Sequence, residues 1–301
     1  MSGLKVSFVL QPYTGNMPPH ELSQGPKLIY KEATKILAHE KAEEILKKTI
    51  KLNDKERKEY GVWHRMGLAN KHLGQTVTPL IRKKYFVLGL LGNCNSLSGM
   101  LAGLQNSGNP GKPLSVGLIW LDAHGDFNTP ETTLSGWLGG MPVAVASGKC
   151  LHRLRKQAGL NPPISTQNII MMGLRDVDPL EQELIHNSFI TAFSTEKLIE
   201  KNKMIKESLH QLSNRVEMIY VHIDLDVLDA SCIPGHDFEV PKGLTPSQLS
   251  ESLKFIMKSE KVKALGIASF PTAKYGREKS MESTKILISG AIQGLKERFN
   301  V

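Results

Sequence analysis

The chain is poor in cysteine and has no arrangement of it that could brace a fold. Cys94, Cys150 and Cys232 are odd in number and widely spaced, which excludes a disulfide framework and points to a reducing compartment. Long apolar runs are missing as well. No stretch of about 18 apolar residues occurs, so no membrane-spanning helix is expected. The opening MSGLKVSFVLQPY has one lysine and a short apolar run, and reads as a first strand rather than a secretory signal; the expected location is the cytoplasm. There is no internal repeat and no low-complexity linker. Gly89, Gly92 and Gly99 do not form a phosphate-cradling pattern, which removes support for nucleotide binding. No nucleic-acid motif accompanies the formal charge of +9. The lysines are scattered, with one denser stretch from Lys41 to Lys58 that is short of aromatics. That stretch reads as a solvated helix face rather than a nucleic-acid or membrane surface.

What is present is a core. The chain has 301 residues, 40% of them apolar, and strand-like runs alternate with longer amphipathic stretches. Strands are expected at Val6–Leu10, Tyr85–Leu90, Val116–Leu121, Asn168–Met172, Phe189–Phe193, Met218–Ile223 and Val262–Ile267. Helices are expected at Pro26–Lys51, Ser96–Gln105, Leu180–Asn187, Thr195–Gln211, Pro246–Lys258 and Ser283–Arg298. The runs Gly117-Leu-Ile-Trp-Leu and Ile219-Tyr-Val-His-Ile are almost continuously apolar, as strands buried on both faces are. The reading is a single domain over residues 1–301: a three-layer α/β/α fold with a mostly parallel central sheet. One helix start is marked in detail, since Thr245-Pro246-Ser247-Gln248 has the composition of a capping box with proline at the first helical position. The segment Asp229–Gly243 before it is long for a loop inside a compact domain, and such loops often carry function.

The strongest chemical signal is Asp122-Ala-His124-Gly-Asp126, directly after the strand Val116–Leu121. Open α/β sheets place their sites at the carboxyl ends of strands. Residues two apart in extended chain point the same way, so Asp122, His124 and Asp126 can converge. Two carboxylates and an imidazole suit Mn²⁺, Fe²⁺ or Zn²⁺, and acids this close repel one another unless a cation compensates. Asp224-Leu-Asp226 follows a second apolar strand and repeats the pattern. One such pair alone is commonly a turn or a cap; two, each at a buried strand end, point to metal.

These motifs resemble those of the arginase/agmatinase family, the ureohydrolases. Leu121-Asp-Ala-His-Gly-Asp-Phe-Asn-Thr-Pro-Glu-Thr-Thr-Leu-Ser-Gly is similar to the family's central metal motif, and His222-Ile-Asp-Leu-Asp-Val-Leu-Asp-Ala-Ser to its second. Gly173-Leu-Arg-Asp-Val-Asp-Pro resembles the segment between them, and Gln24-Gly-Pro-Lys-Leu the early Gly-Pro. Asn-Thr-Pro-Glu-Thr-Thr followed by Gly139-Gly-Met looks nearest to a bacterial branch that includes hydroxyarginine-type amidinohydrolases. The resemblance implies two Mn²⁺ ions, bridged by Asp122 and Asp224, with Asp126 completing one shell and His124 and Asp226 the other. It implies a hydroxide between the ions that attacks the central carbon of a guanidinium or amidine, with Asp126 accepting a proton. It also implies a small-molecule substrate touched by Asn128, Ser135 and Asp178, Asp176 serving to anchor its loop, and a homo-oligomer.

Three positions depart from the pattern. The family's first metal ligand is a histidine; here the segment reads Leu91-Gly-Asn-Cys-Asn-Ser, which places Cys94 there, or Asn95 with a one-residue shift. A thiolate prefers Zn²⁺ or Fe²⁺ over Mn²⁺, and one ion in place of two is the other outcome. The guanidinium-facing glutamate falls on Ser269, which removes a charge-assisted pair and subtracts from arginine as substrate. The proton-shuttle histidine falls on Gly139, and a polar neighbour on Trp137, which can wall a more apolar pocket. The leading expectation is therefore a metal-dependent hydrolase of a linear C–N bond in a guanidino, amidino or ureido compound. The alternatives are a deacetylase-like amide hydrolase with one metal ion, and a catalytically impaired member with a binding role. His236 and Asp237 are expected at the cavity mouth or in solvent.

Overall fold

The computed structural model describes residues 4–15, 21–200 and 203–298. β1 (Lys5–Gln11) leads through α1 (Gly25–His39) to β2 (Glu44–Thr49), and α2 (Asp54–Arg57) and α3 (Val62–Arg82) precede β3 (Phe86–Leu91). α4 (Leu97–Gln105) leads to β4 (Val116–Leu121); α5 (Pro142–Ala146) and α6 (His152–Gln157) precede β5 (Ile169–Leu174); α7 (Pro179–His186) leads to β6 (Thr191–Ser194). α8 (Thr195–Ile199) and α9 (Lys203–Arg215) precede β7 (Met218–Asp224), followed by α10 (Pro246–Met257), β8 (Val262–Ala268) and α11 (Arg277–Lys296). The strands form one sheet in the order β2-β1-β3-β8-β7-β4-β5-β6, and every pairing is parallel.

Alternation along the strands sends side chains to two separate cores, which makes the molecule three-layered. Ile119 and Leu121 of β4 pack on one face with Leu37 of α1, Leu253 of α10 and Leu287 of α11. Leu118 and Trp120 pack on the other with Leu73 and Val77 of α3 and Leu101 of α4. Strands covered on both sides need no polar face, which is why β3 and β4 are buried at every position.

Three expectations are corrected here. The stretch Pro26–Lys51 is not one helix: α1 stops at His39, Lys41 takes a left-handed backbone (φ 52°), and Glu44–Thr49 is the edge strand β2. The lysine-dense region is thus solvated, but as an edge strand; Lys47 and Lys48 there discourage pairing with another chain. Helix α3 was not among the expected helices; it runs through Gly67, Gly74 and Pro79 without a break. The glycines allow close packing: a Cβ on Gly74 would sit 3.3 Å from Ala102 Cβ and from the Gly99 carbonyl of α4. Finally, Thr195–Gln211 is divided into α8 and α9, with residues 201–202 of that stretch outside the described ones.

Strand register sets the site. Leu121 of β4 pairs with Ile223 of β7, and Ile223 with Ile267 of β8. One residue further along, Asp122 and Asp224 leave the sheet side by side, with Ser269 just past the end of β8. The turn after β3 brings Cys94 to the same edge.

Candidate metal centre

Four acids, a histidine and a thiol converge at this edge. Asp122, Asp126, Asp224, Asp226 and Cys94 are buried, and His124 is half-buried. Ligand atoms of Cys94, Asp122 and Asp224 lie within 4.8 Å of one another, as do those of Asp122, His124 and Asp226. Asp122 is common to both groups. Three of the acids are held by backbone: Asp122 Oδ1 accepts from His124 N at 2.7 Å, Asp224 Oδ1 from Asp226 N at 3.1 Å and Asp226 Oδ1 from Ala123 N at 3.2 Å. His124 Nδ1 lies 3.2 Å from Asp226 and 3.3 Å from Asp122, and its Nε2 lies 3.4 Å from Asp176. Asp126 sits at φ 47°, a left-handed conformation unusual for a residue with a side chain, as does Ser269 at φ 60°. Such strain clusters at sites whose surroundings over-determine the backbone. Gly125 keeps the turn open, because a Cβ there would meet the Glu181 carboxylate at 2.8 Å.

Of Cys94 and Asn95, it is Cys94 whose side chain lies among the acids. Its Sγ is 2.8 Å from Asp224 Oδ2 and 3.2 Å from His222 Nε2, whereas the Asn95 carbonyl accepts from Asn70. His222 is stacked on Trp120, its β4 register partner, at 4.3 Å, and its Nδ1 lies 2.9 Å from the Tyr220 hydroxyl. That hydroxyl fits only because residue 266 is glycine; a Cβ there would collide with it.

The electrostatics are those of acids crowded together out of water. Burial, then the neighbouring Asp226 and Asp126, pushes the Asp122 carboxyl far above the usual range. Burial likewise raises Asp126, despite the favourable charge of His124. Burial and Asp224 raise the Cys94 thiol. Burial opposes a charge on His124, but its hydrogen bonds to Asp122 and Asp226 overcome this and carry its pKa up to about 12. Asp224 alone is lowered: burial is outweighed by the partners His236, Cys94 and Ser269. Carboxylates so placed must retain protons or share a positive charge, and the donor set of carboxylate, imidazole and thiol suits a divalent transition ion.

The cavity over these groups has a volume of about 250 Å³. Asn128, Ser135, Trp137, Asp178 and Ser269 line it, as does Gly139. Asn128 donates to Asp178 Oδ2 at 3.1 Å and accepts from Thr132 at 2.9 Å, so it is braced for its place. Ser135 is on the exposed rim. Ser269 donates its hydroxyl to Asp224 Oδ2 at 2.5 Å, and no carboxylate stands at that position. Trp137 covers Gly139: a Cβ at residue 139 would lie 2.9 Å from the indole ring. Trp137 and Phe238 are paired at 5.3 Å, and Phe238 meets the His124 ring edge-on at 5.7 Å.

Of the two places expected for His236, the cavity and the solvent, the structure takes the first: the residue is buried and lines the cavity. Glu181, in the first turn of α7, is buried, accepts from Phe127 N at 2.6 Å and lines the cavity; it lies three residues past Asp178, the N-cap of that helix. Asp176 does not anchor its loop. It is exposed and faces His124, while Arg175 does the anchoring by donating to the carbonyls of Asp226, Leu228, Val240 and Pro241.

Fold and cavity together define an α/β protein with a wholly parallel sheet and, at its carboxyl edge, a carboxylate-rich cavity whose side chains could hold a cation. The Arginase family model matches residues 5–279, and the chain belongs to that family. The arginase of Entamoeba histolytica is 30% identical over 270 residues, covering 87% of this chain and 88% of that protein. The Bacillus subtilis arginase is 34% identical over 178 residues, but this match spans only 58% of either chain. The match to the Bacillus caldovelox arginase likewise spans only 58% of that protein. In structure, the Bacillus subtilis arginase superposes with a TM-score of 0.84 at 24% identity, over 96% of this chain and 98% of that one. The formimidoylglutamase of the same organism superposes with a TM-score of 0.75 at 18% identity, over 98% and 88%. Among the described residues, no helix is long and apolar enough to cross a membrane.

Proposed function

We propose that this chain is a metal-dependent hydrolase of a linear C–N bond in a small guanidino, amidino or ureido compound. The observation that carries the reading is the pair of donor groups, Cys94–Asp122–Asp224 and Asp122–His124–Asp226, joined through Asp122 at the floor of one small cavity. Two divalent ions, Mn²⁺ by family analogy, would be held by Asp122, His124, Asp126, Asp224 and Asp226, with Cys94 as a thiolate ligand in the place of a histidine. When bound, such ions generate a nucleophile from water at neutral pH. The chain's own groups do the rest. Asp126 takes a proton, Asn128 and Asp178 orient the distal end of the substrate, and Trp137 with Phe238 keeps water from the mouth.

Arginine fits this cavity poorly. Ser269 turns its hydroxyl to Asp224 and offers no carboxylate to a guanidinium, and the wall at Trp137 is aromatic. A substrate with a less basic head, or a flatter and less polar tail, fits better. Contiguous donor groups favour two ions over the single ion of a deacetylase-like amide hydrolase, and the braced Asn128–Asp178 pair favours turnover over a binding role. A cytoplasmic homo-oligomer is carried over from the family alone.

The test has two parts. Metal analysis after mild purification is expected to find close to two ions per chain; near zero would sink the reading. Metal-loaded protein is then assayed against arginine, hydroxyarginine, agmatine, guanidino acids and formimino compounds for urea, ammonia or amine release. At least one is expected to turn over faster than arginine. Inactivity on all of them, with metal bound, would exclude this reaction class.

A further inference from the structure

His236 is a buried imidazole of the cavity that the two donor groups above leave unused. It lies in the loop after β7, and its ring is held at one end only. Nδ1 is 3.0 Å from the Phe238 carbonyl oxygen and 3.1 Å from the Phe238 amide nitrogen. Nε2 is buried, has no hydrogen-bond partner among the described residues, and faces Asp224 Oδ1 at 3.6 Å. Buried imidazole nitrogens are normally satisfied, and one left bare calls for a reason. Geometry supplies it: ring nitrogen and carboxylate oxygens of His236, Asp224 and Asp226 lie within 4.8 Å of one another.

The backbone of Phe238 can serve either tautomer. Its amide N–H can donate to Nδ1, which leaves the proton on Nε2; or its carbonyl can accept from Nδ1–H, which leaves the Nε2 lone pair bare toward the two acids. The second arrangement is how a metal-bound histidine is commonly oriented, with the remote N–H on a backbone carbonyl. The loop is fixed before any ligand arrives. His236 N donates to Ile233 O at 3.2 Å, the Pro234 carbonyl accepts from Ser280, and Arg175 grips the Val240 and Pro241 carbonyls. The site also lacks an imidazole where Cys94 stands, and His236 brings one to the same carboxylates from a different loop.

We propose that His236 is a metal ligand, its Nε2 joining Asp224 and Asp226 on one divalent cation while Nδ1–H donates to the Phe238 carbonyl. The inference rests on the metal-dependent reading above. It is tested on the metal-free full chain by titration with Co²⁺, followed by visible absorption and by proton NMR for hyperfine-shifted imidazole N–H signals. Wild type is expected to show signals from two histidines. H236A is expected to lose one signal and to bind one Co²⁺ at least tenfold more weakly, an effect no smaller than the roughly 10–100-fold typical of lost outer-shell partners. A control, H210A on the exposed face of α9, is expected to match wild type. If H236A does not give a native circular-dichroism spectrum, H236Q takes its place. Unchanged affinity and an unchanged signal count in the variant would overturn the ligand role and leave the metal reading intact; so would weaker binding with both signals retained, which marks His236 as a hydrogen-bond donor to Asp224. Wild type that binds no Co²⁺ would overturn both.

Discussion

At the scale of single residues, the centre depends on a few atoms whose replacement has separable effects. Asp126 is buried at the edge of the cavity on a left-handed backbone, and its carbonyl accepts from Val143 N whatever its side chain is. D126N therefore keeps the turn but removes the proposed proton acceptor. Turnover is expected to fall at least about 100-fold with Tm preserved within a few degrees; full turnover in this variant would remove Asp126 from the mechanism. Cys94 tests a different property. A thiolate beside carboxylates biases the site toward softer ions. In competition assays, C94S is expected to shift preference from Zn²⁺ toward Mn²⁺ by about tenfold or more, and its Co²⁺ form should lack the near-ultraviolet sulfur-to-metal absorption of wild type. Identical spectra in the two proteins would mean that Sγ does not bind metal, and that Cys94 is a small buried side chain hydrogen-bonded to Asp224.

At the scale of elements, legibility followed locality. The capping box that opens α10 is written in four consecutive residues, and both of its bonds form: Thr245 N donates to Gln248 Oε1 at 2.9 Å and Gln248 N to Thr245 Oγ1 at 3.3 Å. β4 and β7 were legible because strands buried on both faces are continuously apolar, but the acids after them do not follow strand alternation: Asp226 lies in a 3-10 turn over Leu225–Val227 and Asp126 has a left-handed backbone at φ 47°. The end of α1 was not legible, since Lys41 adopts the left-handed turn without the glycine that usually announces it. Nor was α3, whose glycines serve contacts with α4 that no local pattern reveals. The burial of His236 belongs to the same class, because it depends on a loop clamped by Arg175 from another segment. That clamp is testable. R175A leaves the carbonyls of Asp226, Leu228 and Val240 without their donor. A loss of about 2–4 kcal/mol is expected, with faster proteolysis inside residues 229–243 and weaker metal binding. R175K should not rescue it, since an ammonium cannot reach several diverging carbonyls. A variant as stable and as protease-resistant as wild type would show that the loop holds itself.

At the scale of the whole molecule, charge is sorted rather than scarce. The chain is basic, with a formal charge of +9, yet its central cavity gathers carboxylates that burial has stripped of water. Without a cation, folding must keep protons on Asp122 and Asp126, which are held far above the carboxylate range, on Cys94, and on His124 and His236, raised to about 12 and about 9. Each of these groups is more protonated folded than unfolded, so each contributes stability that is lost as pH rises toward its folded value. The groups with the opposite shift act elsewhere. Asp224 is lowered, and His222 is lowered to about 3 by burial, so their effects fall in acid, below the unfolded histidine range. Between pH 7 and 9 the remaining terms therefore share one sign. The metal-free protein is expected to lose stability across that interval, by about 1.4 kcal/mol per pH unit for each proton that the folded state alone retains. Divalent ions, on the proposed reading, would replace those protons. In calorimetry with chelator, Tm should fall from pH 7 to pH 9; with saturating Mn²⁺ it should be higher at both and nearly flat, because the metal binds the folded chain preferentially. A chelated protein whose Tm rises over this interval, or one that added metal leaves unchanged, would show that the acids are compensated from within the fold and that the centre was not built around a cation.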